Sequence, residues 1–379
     1  MTDDPGNPEL RFRLGMAYLE NSKPRRAIEH FRRILIDHPD AVRVRLELAR
    51  AYFLANDHAN AERHFRMVRA NALPAAVAAN VDLFLRSIRH ERTWSFSASF
   101  AIAPDTNVNA ATAAESIEIY GLPFNLSKDG RRSSGIGLTG QIGGEWAPRI
   151  AGNVRQRFGA SLSRREYAGS RFDEMTASGY LGPRIALGNV TLAAAATGSR
   201  RWFGGEGYSH AVGGQMEATL APTARTLFSL QGSFGRLDHD WAKHLDGPVF
   251  NATAGVTRAL DGQSLGNLRV WTNRHRARHR AFAQTSFNLS ATYARELPAG
   301  FSVLAQPVVG YSRFDDVFAA FGRARRDQSY SLTVSVLNRR LAVKRFAPRI
   351  AVTHTINDSN LPIYTFSRTR MEVGLTTIF

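Results

Sequence analysis

The chain has 379 residues, with 49 Lys and Arg against 32 Asp and Glu, a net charge of +17, and no cysteine. The lack of cysteine excludes disulfides, zinc-thiolate sites and thiol nucleophiles together. No run reaches the roughly 18 apolar residues of a membrane helix, the nearest being Val190–Thr197, so any membrane span has to be made of strands.

So basic a chain raises nucleic acid as a partner. Arginine dominates the basic residues, however, and is scattered along alternating segments with no compact basic helix. That distribution suits a polar barrel interior or lipid phosphates, and no nucleic-acid partner is expected. Met1-Thr-Asp-Asp-Pro5 has no basic region or apolar core, so it does not read as a secretion signal. The expectation is that this start is internal or that the signal has been removed.

From Pro8 to about His90 the sequence is helical and repeats itself. Gly15, Tyr18, Ala27 and Phe31 recur 34 positions later as Ala49, Tyr52, Ala61 and Phe65, and Leu14 matches Leu48. This is the tetratricopeptide period, with small residues where paired helices touch and large ones between them. The helices are predicted at 9–19, 24–36, 43–54 and 59–70, with a capping helix at 74–89; Pro24 suits a first turn. If the repeats dock in the usual way, the first helix of each unit lines a concave groove. Its exposed positions are then Phe12, Met16 and Leu19, followed by Arg43, Arg50 and Phe53. Arg43 and Arg50 share a stripe, either clamping an acidic or extended partner or simply lying in solvent.

After Arg92 the period changes to two. Trp94, Phe96, Ala98, Phe100 and Ile102 alternate with small polar residues, as in a first barrel strand with an oily outer face. Its end carries Pro104-Asp-Thr-Asn-Val-Asn109. Asp105, Asn107 and Asn109 are of the types that hold a cation, but alternating along a strand end they read as hydrogen-bonding within the lumen or capping the first turn of the loop, with a gating role as the alternative.

Turn signals set against alternating runs place fourteen strands, near 93–104, 134–147, 152–166, 172–187, 190–203, 208–221, 225–237, 248–260, 264–278, 282–296, 300–315, 327–339, 344–357 and 364–379. The even count lets the chain enter and leave on one side. The connections after strands two, four, six, eight and ten are tight and read as periplasmic turns. Longer polar loops at 105–133, 238–247 and 316–326 read as outward-facing.

The last strand alternates Met371, Val373, Leu375 and Thr377 with Arg370, Glu372 and Gly374, and it stops at Phe379. Outer-membrane barrels characteristically close this way, and their insertion machinery reads the terminal Phe, so Phe379 is the expected assembly signal. No phosphate loop, nucleophile elbow or zinc-protease motif is present; neither an enzyme nor a cofactor is expected. Asp238, His239, Asp240 and His244 read as solvated loop polars. The basic run Arg274–Arg280 is expected at the outer end of its strands, near lipopolysaccharide phosphates.

A tetratricopeptide module, then Trp-x-Phe-x-x-x-Phe, then Pro-Asp-Thr-Asn-Val-Asn, then strands to a terminal Phe resembles the surface lipoprotein assembly modifier family of Gram-negative outer membranes. The resemblance implies an α+β multidomain chain. A periplasmic tetratricopeptide domain at 8–91 would precede a 14-stranded antiparallel transmembrane β-barrel at 92–379 in the cell outer membrane. It further implies an outer-membrane translocon whose repeats capture a surface lipoprotein, a secreted protein or a periplasmic chaperone of either. The barrel assembly machinery, the outer membrane and lipopolysaccharide would be its other partners. A passive outer-membrane channel with an accessory repeat module is the alternative, and a soluble basic repeat protein the third reading.

Overall fold

Helix formation begins where the sequence supplies both a cap and a proline. Asn7 accepts from the amides of Glu9 and Leu10, and Pro8 opens α1 (Pro8–Glu20), where its missing amide costs nothing. The computed structural model describes residues 7–91, 93–343 and 346–377. After α1 come α2 (Pro24–Asp37), α3 (Val42–Leu54), α4 (His58–Arg69) and α5 (Ala75–Glu91), each close to its predicted span.

The repeated positions form the core of this unit. Ala27, Phe31, Ala49, Ala61 and Phe65 have no exposed surface. Gly15 is required by packing, because a Cβ there would stand 2.6 Å from the Phe31 ring. The turns that reverse the chain repeat as well: Ser22 and Asn56 occupy equivalent positions, both with left-handed backbone (φ 55° and 59°).

Fourteen long strands follow: β1 Trp94–Asp105, β2 Gly135–Trp146, β3 Val154–Tyr167, β4 Glu174–Leu187, β5 Val190–Phe203, β6 Glu206–Thr223, β7 Thr226–His239, β8 Gly247–Ala259, β9 Ser264–His275, β10 Gln284–Glu296, β11 Phe301–Phe318, β12 Arg323–Asn338, β13 Phe346–Ser359 and β14 Phe366–Thr377. Each pairs antiparallel with its sequence neighbours, and β1 pairs with β14 from Ser99↔Thr376 to Asp105↔Arg370. The sheet is therefore a closed barrel, with no free edge. The first long loop carries a short ribbon of its own, Ser116–Ile119 on Leu122–Asn125.

One expected loop is corrected. The segment 316–326 is largely strand, because Val317↔Ala324 and Phe318↔Arg323 extend the β11–β12 ladder past an irregularity after Arg313. Only Ala319–Gly322 turns, with Gly322 left-handed (φ 63°). The polar residues there belong to a strand that protrudes beyond the apolar band.

The two faces of the wall separate as the alternation requires. Phe96, Phe100, Ile102, Leu138, Leu230 and Leu375 all point outward and are exposed. In a monomeric soluble protein such an apolar band would be a liability; around a closed barrel it is the lipid-facing surface. Inside, Glu145 on β2 accepts from Arg157 (2.7 Å), Arg184 (2.9 Å) and Tyr180 (2.6 Å) on the next two strands. Among the described residues no helix is long and apolar enough to cross a membrane, and the strands do the spanning. Arginine placed at Phe96 or Leu375 should therefore destabilise the barrel by about 2–4 kcal/mol where the position is mid-membrane. Arginine at inward-facing Ser97 should cost little. Unfolding titrations in lipid vesicles measure both, and equal losses on the two faces would contradict this assignment.

Candidate functional site at the turn-side mouth of the barrel

The helices do not hang free of the barrel. Arg66 in α4 donates to the carbonyl of Ala224 in the β6–β7 turn (3.0 Å), and Arg225 in that turn donates back to the carbonyl of Arg69 (2.8 Å). Asn71 lies so close to Gly262 of the β8–β9 turn that a Cβ there would meet its side chain at 2.9 Å. Glu296 at the end of β10, beside the β10–β11 turn, and Arg339 in the β12–β13 turn complete the contact. Four consecutive turns thus hold the helices at one end of the barrel.

Glu296 is the centre of this contact. It is the last residue of β10 and 2 % exposed; Oε1 accepts from Arg63 (2.9 Å), while Oε2 accepts from Arg45 (3.0 Å) and Arg339 (2.9 Å). Arg45, 1 % exposed, also donates to the Pro39 carbonyl (2.6 Å) and faces His64 Nδ1 at 3.2 Å. A buried guanidinium without a carboxylate costs several kcal/mol. Arg45 is therefore a residue of the docked state: on separated helices it would put a charge on a packed face.

His64 reports on the same contact. Burial holds its pKa well below the usual 6.5, and the neighbouring Arg45 charge lowers it further; Arg63 and Arg339 act in the same direction, and Glu296 opposes them. With Arg45 donating to Nδ1, the imidazole is neutral and carries its proton on Nε2. The unfolded chain takes up this proton at about 6.5 and the folded one only at lower pH. The contribution is thus fully present above 6.5 and is lost as pH falls, by at most about 1.4 kcal/mol per pH unit. The helices should melt earlier at pH 5.5 than at pH 7.5, and His64→Gln, which keeps an acceptor but cannot titrate, should flatten that dependence. Circular dichroism melts across this range provide the check, and an unchanged slope in the variant would remove His64 as its source.

The groove residues are placed unevenly. Arg43 and Arg50 are exposed on α3 as expected, Arg43 lying over the Phe12 ring (5.0 Å) and Arg50 reaching Glu47 (3.7 Å). Met16 and Phe53 are half-buried, Phe53 against Phe84. Phe12 and Leu19 are corrected: at 8 % and 9 % exposure they are core residues, Phe12 packing on Phe31 with ring centroids 5.6 Å apart. The apolar stripe of α1 is wide enough that in sequence its edge resembles groove lining.

The loop motif lies at the opposite end. Pro104 is exposed, opposite Ile136. Asp105 is buried and accepts from Arg368 Nε (3.0 and 2.9 Å) and Nη2 (2.5 Å), from Tyr167 (3.2 Å) and from the Asn107 amide (2.9 Å). Asn107, with no exposed surface, donates to the carbonyls of Ala111 (2.9 Å) and Ser367 (3.1 Å). Asn109 donates to the carbonyls of Asp129 and Arg131 and accepts from the Ser133 amide. Together they tie both ends of the first long loop to β14 and β3. His239, read as solvated, is instead 5 % exposed, and its amide donates to Asp246 (2.6 Å); the loop folds back over it. Phe379 lies outside the described residues.

The Glu296 cluster was missed by sequence reading. The available signal was Arg45 itself, which shares the buried phase of α3 with Leu48, Ala49 and Tyr52 at spacings of three, four and seven. A charge on that stripe requires a partner from elsewhere.

Two family models agree with this architecture. Residues 94–379 match the family model described as surface lipoprotein assembly modifier, and residues 12–76 match a tetratricopeptide repeat model. The chain is similar to surface lipoprotein assembly modifier 1 of Neisseria meningitidis serogroup B, with 22% identity covering 96% of this chain and 75% of that protein. It is 20% identical to the protein of that name from Haemophilus influenzae, over 93% of this chain and 74% of the other. Among solved structures, a Pseudomonas aeruginosa FadL homologue aligns over 77% of this chain and 92% of its own, at 9% identity and a TM-score of 0.45.

Proposed function

The chain belongs to the surface lipoprotein assembly modifier family, and from that membership we propose that it is a non-enzymatic outer-membrane translocon for surface display of lipoproteins. In this reading the tight turns and the helices lie in the periplasm and the long loops face outward. The helices receive a lipoprotein, or a periplasmic chaperone carrying one, and the barrel guides it across. The observation that carries the reading is the buried Glu296 contact with Arg45, Arg63 and Arg339. It holds a repeat unit, a fold built to bind extended or helical segments, at the barrel mouth. A passive pore has no need of a protein-binding unit fixed there.

The test is surface labelling of a lipoprotein encoded beside this gene, in a host lacking the family. Display should require this chain. Charge reversal at Arg43 and Arg50 together should lower display several-fold without lowering barrel abundance, since both are exposed on α3 and remote from the strands. Display that is independent of the chain would refute the translocon and favour the channel.

A further inference from the structure

Beyond the apolar band, at the loop end, arginines face outward around the barrel. Arg164, Arg200, Arg236 and Arg274 each have a carboxylate: Glu166 (3.1 Å), Asp240 (2.5 Å), Asp238 (2.9 Å) and Asp315 (2.5 Å). The sector from β9 to β12 differs. Arg276, Arg280, Arg313 and Arg326 are exposed there, and none makes an ion pair of its own among the described residues. Asp315 is already bidentate with Arg274 while also facing Arg280 and Arg313. Arg313 and Arg326 stand directly opposite each other in the β11–β12 ladder. Like charges so placed destabilise a sheet, and an anion between them removes the penalty.

A second observation lies immediately below. The lipid-facing wall has a hollow of about 710 Å³ edged by Leu230, Phe287, Tyr311 and Tyr330, with the small residues Ala252 and Ala254 between them. Three of its lining residues, Thr272, Tyr311 and Gln328, are each two positions along their strand from Arg274, Arg313 and Arg326. On a strand that spacing keeps one face and moves about 7 Å towards the loop end. Arg276 marks the boundary, with its guanidinium 5.8 Å from the ring of outward-facing Phe250. An apolar trough that ends at guanidinium groups, of which Arg313 and Arg326 have no ion pair among the described residues, is complementary to a molecule with an acyl chain at one end and phosphate at the other.

We propose that this sector is a binding site for the phosphorylated, acylated glycolipid of the outer leaflet, the lipid A part of lipopolysaccharide. One acyl chain lies in the hollow, and a phosphate lies between Arg313 and Arg326. The choice of leaflet rests on the orientation proposed above.

Binding is measured on the purified full chain in detergent, by native mass spectrometry with diphosphoryl lipid A. Arg313→Gln with Arg326→Gln should weaken binding about tenfold or more. Ala254→Trp, which fills the hollow without changing charge, should weaken it comparably, and Arg164→Gln on the far side should not. Equal binding by the double variant and the parent overturns the proposal. So does equal competition by phosphatidylglycerol, which would leave only a charged rim, or by a triacylated lipopeptide without phosphate, which would make the hollow an anchor site. Orientation is read separately, since the chain has no cysteine: Ala319→Cys in intact cells should react with an impermeant maleimide. Labelled loops with no lipid A binding overturn this site alone. Intact binding with unlabelled loops overturns the orientation, and with it the assignment to the outer leaflet.

Discussion

Replacing Glu296 by leucine should release the helices from the barrel. The substitution leaves Arg45 and Arg339, 1 % and 13 % exposed at their side chains, facing each other without a carboxylate. Breaking a buried pair from one side costs about 3–5 kcal/mol, because the charge left behind cannot be solvated. Remaining contacts such as Arg66 to Ala224 contribute about 1 kcal/mol each and cannot offset this. Trypsin cleavage near the α5–β1 junction should accelerate while the barrel keeps its heat-modifiable mobility on gels. Adding Arg45→Met should recover part of the loss, since one unpaired charge is then gone, and Glu296→Gln should fall between. Unchanged protease protection in the leucine variant would show that packing alone docks the helices. If docking matters for the proposed function, lipoprotein display should fall with the same rank order across these variants.

The contrast between what sequence reading found and what it missed has a physical basis. The strands were legible because lipid on one side and a polar lumen on the other impose a strict period of two, visible in Trp94 to Ile102 and in Met371 to Leu375. The helices were legible because repeat packing puts Gly15 against Phe31 and Ala49 in the equivalent place, a pattern that returns after 34 residues. Neither signal describes how the two parts meet. Arg45 and Glu296 are 251 residues apart, and nothing local to Glu296 marks it, since a carboxylate at a strand end is ordinary. Phe12 was misplaced for a related reason: both faces of α1 carry apolar residues, and only the position of α2 decides which is inside. The end of β11 was hidden because polar residues beyond the membrane alternate without contrast.

Removing the Asp105 carboxylate should loosen the first long loop and weaken closure of the barrel together. Asp105 ends β1, and its partners come from β14 and β3, so one side chain joins the first strand to the last and to a strand on its other side. Its side chain has no exposed surface, and that of Arg368 is 17 % exposed. Asp105→Ala therefore leaves a largely buried guanidinium whose remaining hydrogen-bond partner among the described residues is Tyr167 (3.4 Å), at a cost of about 3 kcal/mol or more. Tyr167→Phe removes one hydrogen bond to the same carboxylate and should cost about 1 kcal/mol. Asn107 amplifies the effect, since its amide donates to Asp105 and its side chain holds Ala111 and Ser367. In the alanine variant the loop 106–134 should become sensitive to protease added to the purified folded chain, and the barrel should lose its folded gel mobility at a lower temperature than the parent. Asp105→Leu with Arg368→Met, which removes both charges at similar bulk, should restore much of the thermal stability without restoring the hydrogen bonds at the base of the loop. The two readouts then separate: recovered melting with a still-cleavable loop assigns the ion pair to closure and Asn107 to the loop. Loss of neither in the alanine variant would mean that the β1–β14 ladder from Ser99 to Asp105 closes the barrel unaided.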